Sequence, residues 1–312
     1  MGLSVASVTV GFNSARVLPR QIEALLRQSR PLDEIIVVDN ASTDSTREFL
    51  AERYPRVTML PMPQNVGVGG AVGAGMTYAA LEKRHDWVWT LDADSVPEDN
   101  TLEVLLEGIN SAADGNGGVA IAAPLLVHGK TGECYPPLFW RDSFVTPSPE
   151  MLRKPLLPVD LLLGSGSIVR RDVVEKLGLP RADLFMYFQD FEYCLRARSH
   201  GYKLAVVTGS RLAHEVGKAR WVRLAGRPRL WSIHAPWQEY YMSRNLTYAC
   251  WWLYANRRTK WFTVRHLVRH AGGVLLFSPS KLPCLIKMVQ GFWDGRQARL
   301  GIRFRPVEAR FA

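Results

Sequence analysis

Four short apolar runs, each followed by a segment with helical spacing or a turn, limit what the first hundred residues of this chain can fold into. Ser4–Phe12 is rich in β-branched residues, and Leu18–Gln28 follows it with Leu18, Ile22, Leu25 and Leu26 at helical spacing. Glu34–Asp39 (EIIVVD) is almost wholly apolar, the composition of a strand covered on both faces of a parallel sheet. Ser42–Tyr54 opens with a Ser/Thr/Asp cluster suited to capping a helix. Val57–Pro61 predicts a third strand, Gly70–Lys83 a helix of small residues, and Trp87–Leu91 (WVWTL) a fourth strand. This alternation implies a doubly wound α/β fold around a parallel sheet. Ligands of such sheets sit at the carboxyl ends of the strands, where Asp39 and Asp92 both fall.

Asp92-Ala93-Asp94 is the strongest local signal. Residues two apart in extended backbone point the same way, so both carboxylates can face one point. Two hard oxygen ligands at a strand end suit Mg2+ or Mn2+, with a diphosphate completing the coordination. A solvated acidic turn before Ser-x-Pro is the competing account. The glycines near Asn65 do not form GxGxxG after the first strand, which disfavours a dinucleotide site.

Charge is unevenly placed. Residues 211–312 hold 19 Lys/Arg and 4 Asp/Glu, whereas the preceding 210 hold 20 and 25, so a slightly acidic body carries a C-terminal third of +15. A segment of that sign should face something anionic. Cys134, Cys194, Cys250 and Cys284 lie far apart without zinc-ligand spacing, as expected of reduced thiols in a cytoplasmic protein. The N-terminus reads as a strand, not a signal peptide, and no apolar stretch reaches the roughly 18 residues of a membrane span.

Several motifs in order carry a resemblance: VTVGFNS, EIIVVDNASTDST, QNVGVGGAVGAGM, WVWTLDADSVP, DLLLGSGSIVRRDVV and LFMYFQDFEYCLRARSHGY, then YYMSRN and QGFWDGRQARLG. Together they resemble the family 2 glycosyltransferases of GT-A fold, especially the bacterial rhamnosyltransferase and galactofuranosyltransferase branch. The resemblance runs from about Val5 to Gly301. It implies a Rossmann-like, mostly parallel sheet flanked by helices, with a helical basic C-terminal extension. It further implies a catalytic domain at 1–218, with a nucleotide-binding half (1–100) and an acceptor and catalytic half (101–218), ahead of the basic region 219–312.

The same resemblance assigns roles. Phe12, Asn13, Asp39, Asn65, Gly70 and Asp92 correspond to residues that contact the nucleotide sugar. Asp39 would accept the pyrimidine N3–H, which thymine and uracil carry and cytosine lacks; capping a helix near Ser42 is its other reading, and both can hold. Glycines 67, 69 and 70 would let backbone approach the nucleotide. Asp94 matches the direct metal ligand and Asp92 the acid that meets ribose or metal. His214, after the apolar strand Lys203–Val207, matches a histidine that completes the site in several relatives, a ligand better suited to Mn2+ than to Mg2+. Ala93 replaces the middle acid of many relatives, a position that should point away.

Asp190 matches the catalytic base, although Gln189 stands where relatives have a first acid. A base there takes the acceptor hydroxyl proton on the face opposite the departing diphosphate, which gives inversion in one displacement. Asp190 can instead cap its helix, and Glu192 is the competing carboxylate. Gly164, Ser165 and Gly166 would shape the acceptor side.

Residues 219–305 interleave Arg and Lys with aromatics: Arg220-Trp221, Trp231, Trp237, Tyr240, Tyr241, Trp251, Trp252, Tyr254, Trp261 and Phe262. Without a nucleic-acid-binding module, nucleic acid is disfavoured as a partner. An anionic membrane surface at the inner face of the cell membrane fits better, as does a glycan or polyprenyl-diphosphate-linked acceptor. Some of these aromatics must be core. The expected activity is transfer of L-rhamnose from dTDP-rhamnose, with UDP-galactofuranose or another UDP-sugar as alternative donor. A non-catalytic nucleotide-sugar-binding protein of the same fold is the rival class.

Overall fold

The computed structural model describes residues 2–111, 118–129, 131–135, 137–215, 219–224 and 227–305. Two compact units divide the chain: Met1–Ala182 with Gln189–Glu215, and Asp183–Phe188 with Val216–Ala312.

In the first unit, β1 (Val5–Gly11), α1 (Leu18–Leu26), β2 (Glu34–Asp39), α2 (Thr46–Arg53), β3 (Thr58–Pro61), α3 (Gly67–Met76) and β4 (Trp87–Asp92) follow in that order. A π-helical turn, Thr77–Glu82, extends α3. Strands β1 to β4 are parallel, in the order β3-β2-β1-β4. Their side chains explain this, because β1, β2 and β4 are buried nearly throughout and no face is left for water. Trp89, Leu91, Ile36 and Val38 are almost fully enclosed. Burying one such aliphatic side chain contributes about 1.5–3 kcal/mol.

Beyond β4 come β5 (Val96–Pro97), α4 (Thr101–Ser111), β6 (Val119–His128), the short β7 (Phe139–Trp140) and β8 (Phe144–Val145), and β9 (Leu156–Pro158). Next are β10 (Ile168–Arg170), α5 (Arg171–Leu177), α6 (Gln189–Ser199) and β11 (Lys203–His214). Strand β10 runs antiparallel between β4 and β6, and β11 pairs parallel with β6. The sheet is therefore mixed beyond β4.

Two expectations need correcting. The helix after Asp39 begins at Thr46, not near Ser42. The amide of Ser42 goes to Asp39 and that of Thr46 to Asp44, so the intervening residues form a turn held by carboxylates. The strand expected to stop at Val207 continues to His214, because an irregularity between Val207 and Arg211 lets pairing with β6 resume as far as His128.

The second unit contains the hairpin β12 (Ala219–Leu224) and β13 (Arg227–Ser232), then α7 (Pro236–Tyr248), α8 (Arg257–Phe277) and α9 (Lys281–Arg296). The hairpin departs from a purely helical extension. Side chains of Arg220 and Trp221 lie outside the described residues. Helices α7 and α9 approach closely at Gly291 and Gly295, where an added Cβ would collide with the Tyr240 and Arg244 carbonyls. Arg244 is fully buried, stacked on the Tyr241 ring with its guanidinium carbon 4.7 Å from the centroid. It donates to the carbonyls of Leu184 (2.9 Å) and Gly301 (2.6 Å), while Asn245 donates to those of Met186 (2.7 Å) and Tyr187 (2.9 Å). These bonds hold a segment in which Phe185, Tyr187 and Phe188 all have positive φ, a conformation that costs free energy in non-glycine residues.

Candidate functional site

The parallel register gathers several strand ends at one edge of the sheet. Gly11 pairs with Asp39 and Val10 with Asp92, so Phe12, Asn13, Asp39 and Asp92 all emerge there. Asp92 ends β4 and starts a tight turn, with the Ser95 amide donating to the Asp92 carbonyl at 3.0 Å. Buried Gln21 of α1 also donates to that carbonyl, and the Asp92 amide donates to Ser165 Oγ at 3.2 Å. Ala93 turns the other way, into a cluster with Leu18, Ile22 and Val37.

Across this turn stands His214, the last residue of β11. Its Nδ1 lies 3.3 Å from Asp94 Oδ1, and its Nε2 lies 3.9 Å from Asp92 Oδ2. One ligand atom from each of Asp92, Asp94 and His214 falls within 4.8 Å of the others. Ser95 Oγ sits 3.0 Å from His214 Nδ1 and 2.5 Å from Ser165 Oγ, fixing the ring. Removal from water pushes the Asp92 carboxyl up to about 6; the charges of Asp94 and Asp190 push the same way, and His214 opposes them. For His214, burial alone disfavours the imidazolium, but Asp94 and Asp92 outweigh it and raise the net value. Two carboxylates and an imidazole converging on one point fit a divalent cation such as Mn2+ or Mg2+.

Asp190 stands in the first turn of α6. Its Oδ2 accepts the Gly164 amide at 3.0 Å and its Oδ1 the Phe191 amide at 2.9 Å. Burial raises its pKa, and these backbone bonds oppose the rise. Glu192 is differently employed: it is buried and holds Arg196 through both oxygens, at 2.9 and 3.1 Å. Arg196 in turn donates to the carbonyls of Leu177 and Leu179, so this pair fastens α6 to the end of α5.

On the nucleotide side, the Asp39 carboxylate is fully buried, paired with the guanidinium of Arg47 and accepting the Ser42 amide. Asn13, at φ 52°, accepts the Thr43 amide at 2.7 Å. Phe12 donates its amide to Ser14 Oγ at 3.1 Å. Asn65 accepts from the Gly67 amide (2.9 Å) and from Asn40 Nδ2 (3.2 Å). Contacts within the protein itself require two of the glycines. A Cβ on Gly69 would lie 2.6 Å from the Arg181 carbonyl oxygen, and one on Gly70 would lie 2.9 Å from Val66 Cγ2. Asn65 is tied to Asn40, the neighbour of Asp39, while Gly70 packs against Val66 and Ala182.

Sequence reasoning missed Arg47, Ser95, Gln21 and Asn40. Gln21, Asn40 and Ser95 are buried and Arg47 pairs with a buried carboxylate on another element, and none lies in a pattern that marks it out. Ser165 was expected only to leave room, yet its hydroxyl joins β4 to the histidine.

Residues 8–178 match the family described as glycosyl transferase family 2. The galactofuranosyltransferase GlfT1 of Mycolicibacterium smegmatis is 27% identical over 221 residues, covering 68% of this chain and 71% of its own. The dTDP-rhamnosyl transferase RfbF of Shigella flexneri is 23% identical over 247 residues, covering 78% and 79%. An N-acetylglucosaminyl-diphospho-decaprenol L-rhamnosyltransferase of Mycobacterium tuberculosis is 27% identical over 231 residues, covering 66% and 74%. Among solved structures, GalNAc-T7 with UDP, GalNAc and Mn2+ superposes with a TM-score of 0.61 at 20% identity, over 95% of this chain and 56% of that one. S. aureus TarS 1–349 with UDP-GlcNAc gives 0.60 at 15% identity, over 95% and 81%. These structural likenesses establish the GT-A fold. Since the family match spans more than half of the 312 residues, and the relatives it brings are sugar transferases, this chain belongs to glycosyltransferase family 2.

Proposed function

We propose that this glycosyltransferase inverts configuration as it moves L-rhamnose from dTDP-L-rhamnose onto a lipid-diphosphate-linked glycan acceptor in cell-envelope polysaccharide synthesis. Two relatives named as rhamnosyl transferases support the sugar, and the one named for a decaprenol-linked substrate supports the acceptor. UDP-galactofuranose is the second donor reading, favoured by the GlfT1 relative. The catalytic domain, on this reading, spans 1–218, and the basic region 219–312 brings the cytoplasmic protein to the inner face of the membrane.

The observation that carries the mechanism is the Gly164–Ser165 loop, which touches the base and the acid cluster together. Its Gly164 amide holds Asp190, and its Ser165 hydroxyl holds the Asp92 amide. Asp190 takes the acceptor hydroxyl proton as that oxygen attacks the anomeric carbon. Its raised pKa improves it as a proton acceptor while the two amides keep its ionised form accessible. Asp92, Asp94 and His214 would hold Mn2+ or Mg2+, which supplies positive charge for the donor diphosphate. Asp39 reads thymine or uracil by accepting their N3–H, with its carboxylate paired to the Arg47 guanidinium.

The test is transfer from dTDP-L-rhamnose and from UDP-galactofuranose to a polyprenyl-diphosphate glycan analogue, with and without EDTA. EDTA-sensitive rhamnose transfer with inverted anomeric configuration is expected. Retained configuration would overturn the direct displacement, and full activity in EDTA would overturn the metal site.

A further inference from the structure

Helices α8 and α9 each expose an apolar stripe that no described residue of the second unit covers. On α8, Trp261, Val268 and Leu275 recur at intervals of seven residues, two helical turns, with Leu276 beside the last. Trp261 and Val268 are each 67% exposed and Leu276 is 62% exposed. On α9, Leu282, Ile286, Val289 and Trp293 recur at four, three and four, with Leu282 67% exposed. The opposite faces hold the packing: Phe262, Thr263 and Val274 on α8, and Cys284, Met288 and Gly291 on α9 are buried. Eight exposed large hydrophobics on two consecutive helices exceed what scattered surface residues explain.

Charge identifies the occupant. Residues 257–296 contain eight Lys/Arg (Arg257, Arg258, Lys260, Arg265, Arg269, Lys281, Lys287 and Arg296) against Asp294 alone. An exposed apolar face on two helices that carry eight cations against one acid matches an anionic bilayer, whose headgroups attract the cations while its acyl boundary takes the apolar side chains. Tryptophans stand near the start of α8 and the end of α9, and tryptophan prefers headgroup depth.

We propose that the α8 and α9 stripes lie in the headgroup–acyl boundary of an anionic bilayer, with exposed basic residues of the two helices resting on lipid phosphates. This rests on the membrane-surface reading above and goes further by assigning the attachment to an inserted apolar face, not to charge alone. Among the described residues no helix is long and apolar enough to cross a membrane, so α8 and α9 would lie along the surface.

The test is flotation of the full chain with vesicles of phosphatidylcholine containing phosphatidylglycerol, and of phosphatidylcholine alone. It compares wild type with W261E/L282E/V289E and with R257Q/R265Q/K281Q. All six positions are outside the site described above, and circular dichroism and transfer to a water-soluble acceptor check that each variant is folded. The apolar triple variant should lose at least tenfold in vesicle partition at both low and high salt. The charge variant should lose only the part of binding that phosphatidylglycerol adds. If wild type binds and the apolar variant binds equally well, the inserted face is wrong while the membrane reading stands. If wild type binds neither vesicle, both fail. A wild-type dimer that W261E/L282E/V289E converts to monomer, with vesicle binding unchanged, would assign the stripes to a second copy and overturn the proposal.

Discussion

The amide of Gly164 donates to the carboxylate of Asp190 at 3.0 Å, while the Gly164 carbonyl accepts the Thr90 hydroxyl at 2.7 Å. A single residue therefore ties the first turn of α6 to the strand that ends in Asp92. The next residue, Ser165, continues the connection to Ser95 and so to His214. The loop thus fixes Asp190 relative to Asp92, whose proton affinity is raised mainly by burial and further by the charges of Asp94 and Asp190.

Asp190→Asn should lower turnover by about 10²-fold or more while leaving the donor dissociation constant unchanged, because the shape persists and the base is lost. Steady-state kinetics and calorimetry with the same nucleotide sugar read the two effects separately. Glu192→Gln should behave in reverse, losing its grip on Arg196 and lowering the melting temperature with turnover per folded molecule retained. An inactive, stable Glu192→Gln protein would make Glu192 the base.

The pH profile carries a sign. A base works when ionised, so activity is present above its pKa and falls as pH drops through it. Burial raises the Asp190 pKa from 3.8, so the acid limb of kcat/KM should lie above that value in wild type. An acid limb at or below 3.8 would contradict the role, provided circular dichroism shows the fold intact there.

Asp94→Ala should abolish Mn2+-supported donor binding, because it removes one of three converging ligand atoms and a charge. Calorimetric titration with Mn2+ present measures it directly. Unchanged affinity would return Asp92-Ala93-Asp94 to a solvated turn.

Asp39→Ala should weaken free dTDP and UDP by about 10–100-fold, the equivalent of one buried charge-assisted hydrogen bond of roughly 1.5–3 kcal/mol. Equal affinity in the variant would leave Asp39 serving only Arg47 and the Ser42 turn.

Gly291→Ala should destabilise the second unit by about 1–3 kcal/mol, since the added methyl meets the Tyr240 carbonyl, which α7 cannot easily move. Thermal denaturation of the full chain, followed by tryptophan fluorescence, should show a lowered transition. An unchanged one would mean α7 and α9 are further apart than this packing requires.

Sequence alone determined what depends on neighbours along the chain. The apolar runs of β1, β2 and β4, the acids at their ends, and the inward turn of Ala93 all follow from period-two alternation and from burial of parallel strands on both faces. Tertiary structure decided what depends on residues far apart in sequence. Ser95 between Ser165 and His214, and Asp190 against the Gly164 amide, arise from how the elements pack, whereas the Glu192–Arg196 pair is one turn apart on α6. Among the C-terminal aromatics, the sequence could not separate buried Tyr240 and Tyr241 from exposed Trp261 and Trp293, because aromatic residues suit a core and a membrane interface equally well. Which side of a helix faces its neighbours is fixed only when those neighbours are in place. The charge of the last third was legible from composition; the surface on which it is spread was not.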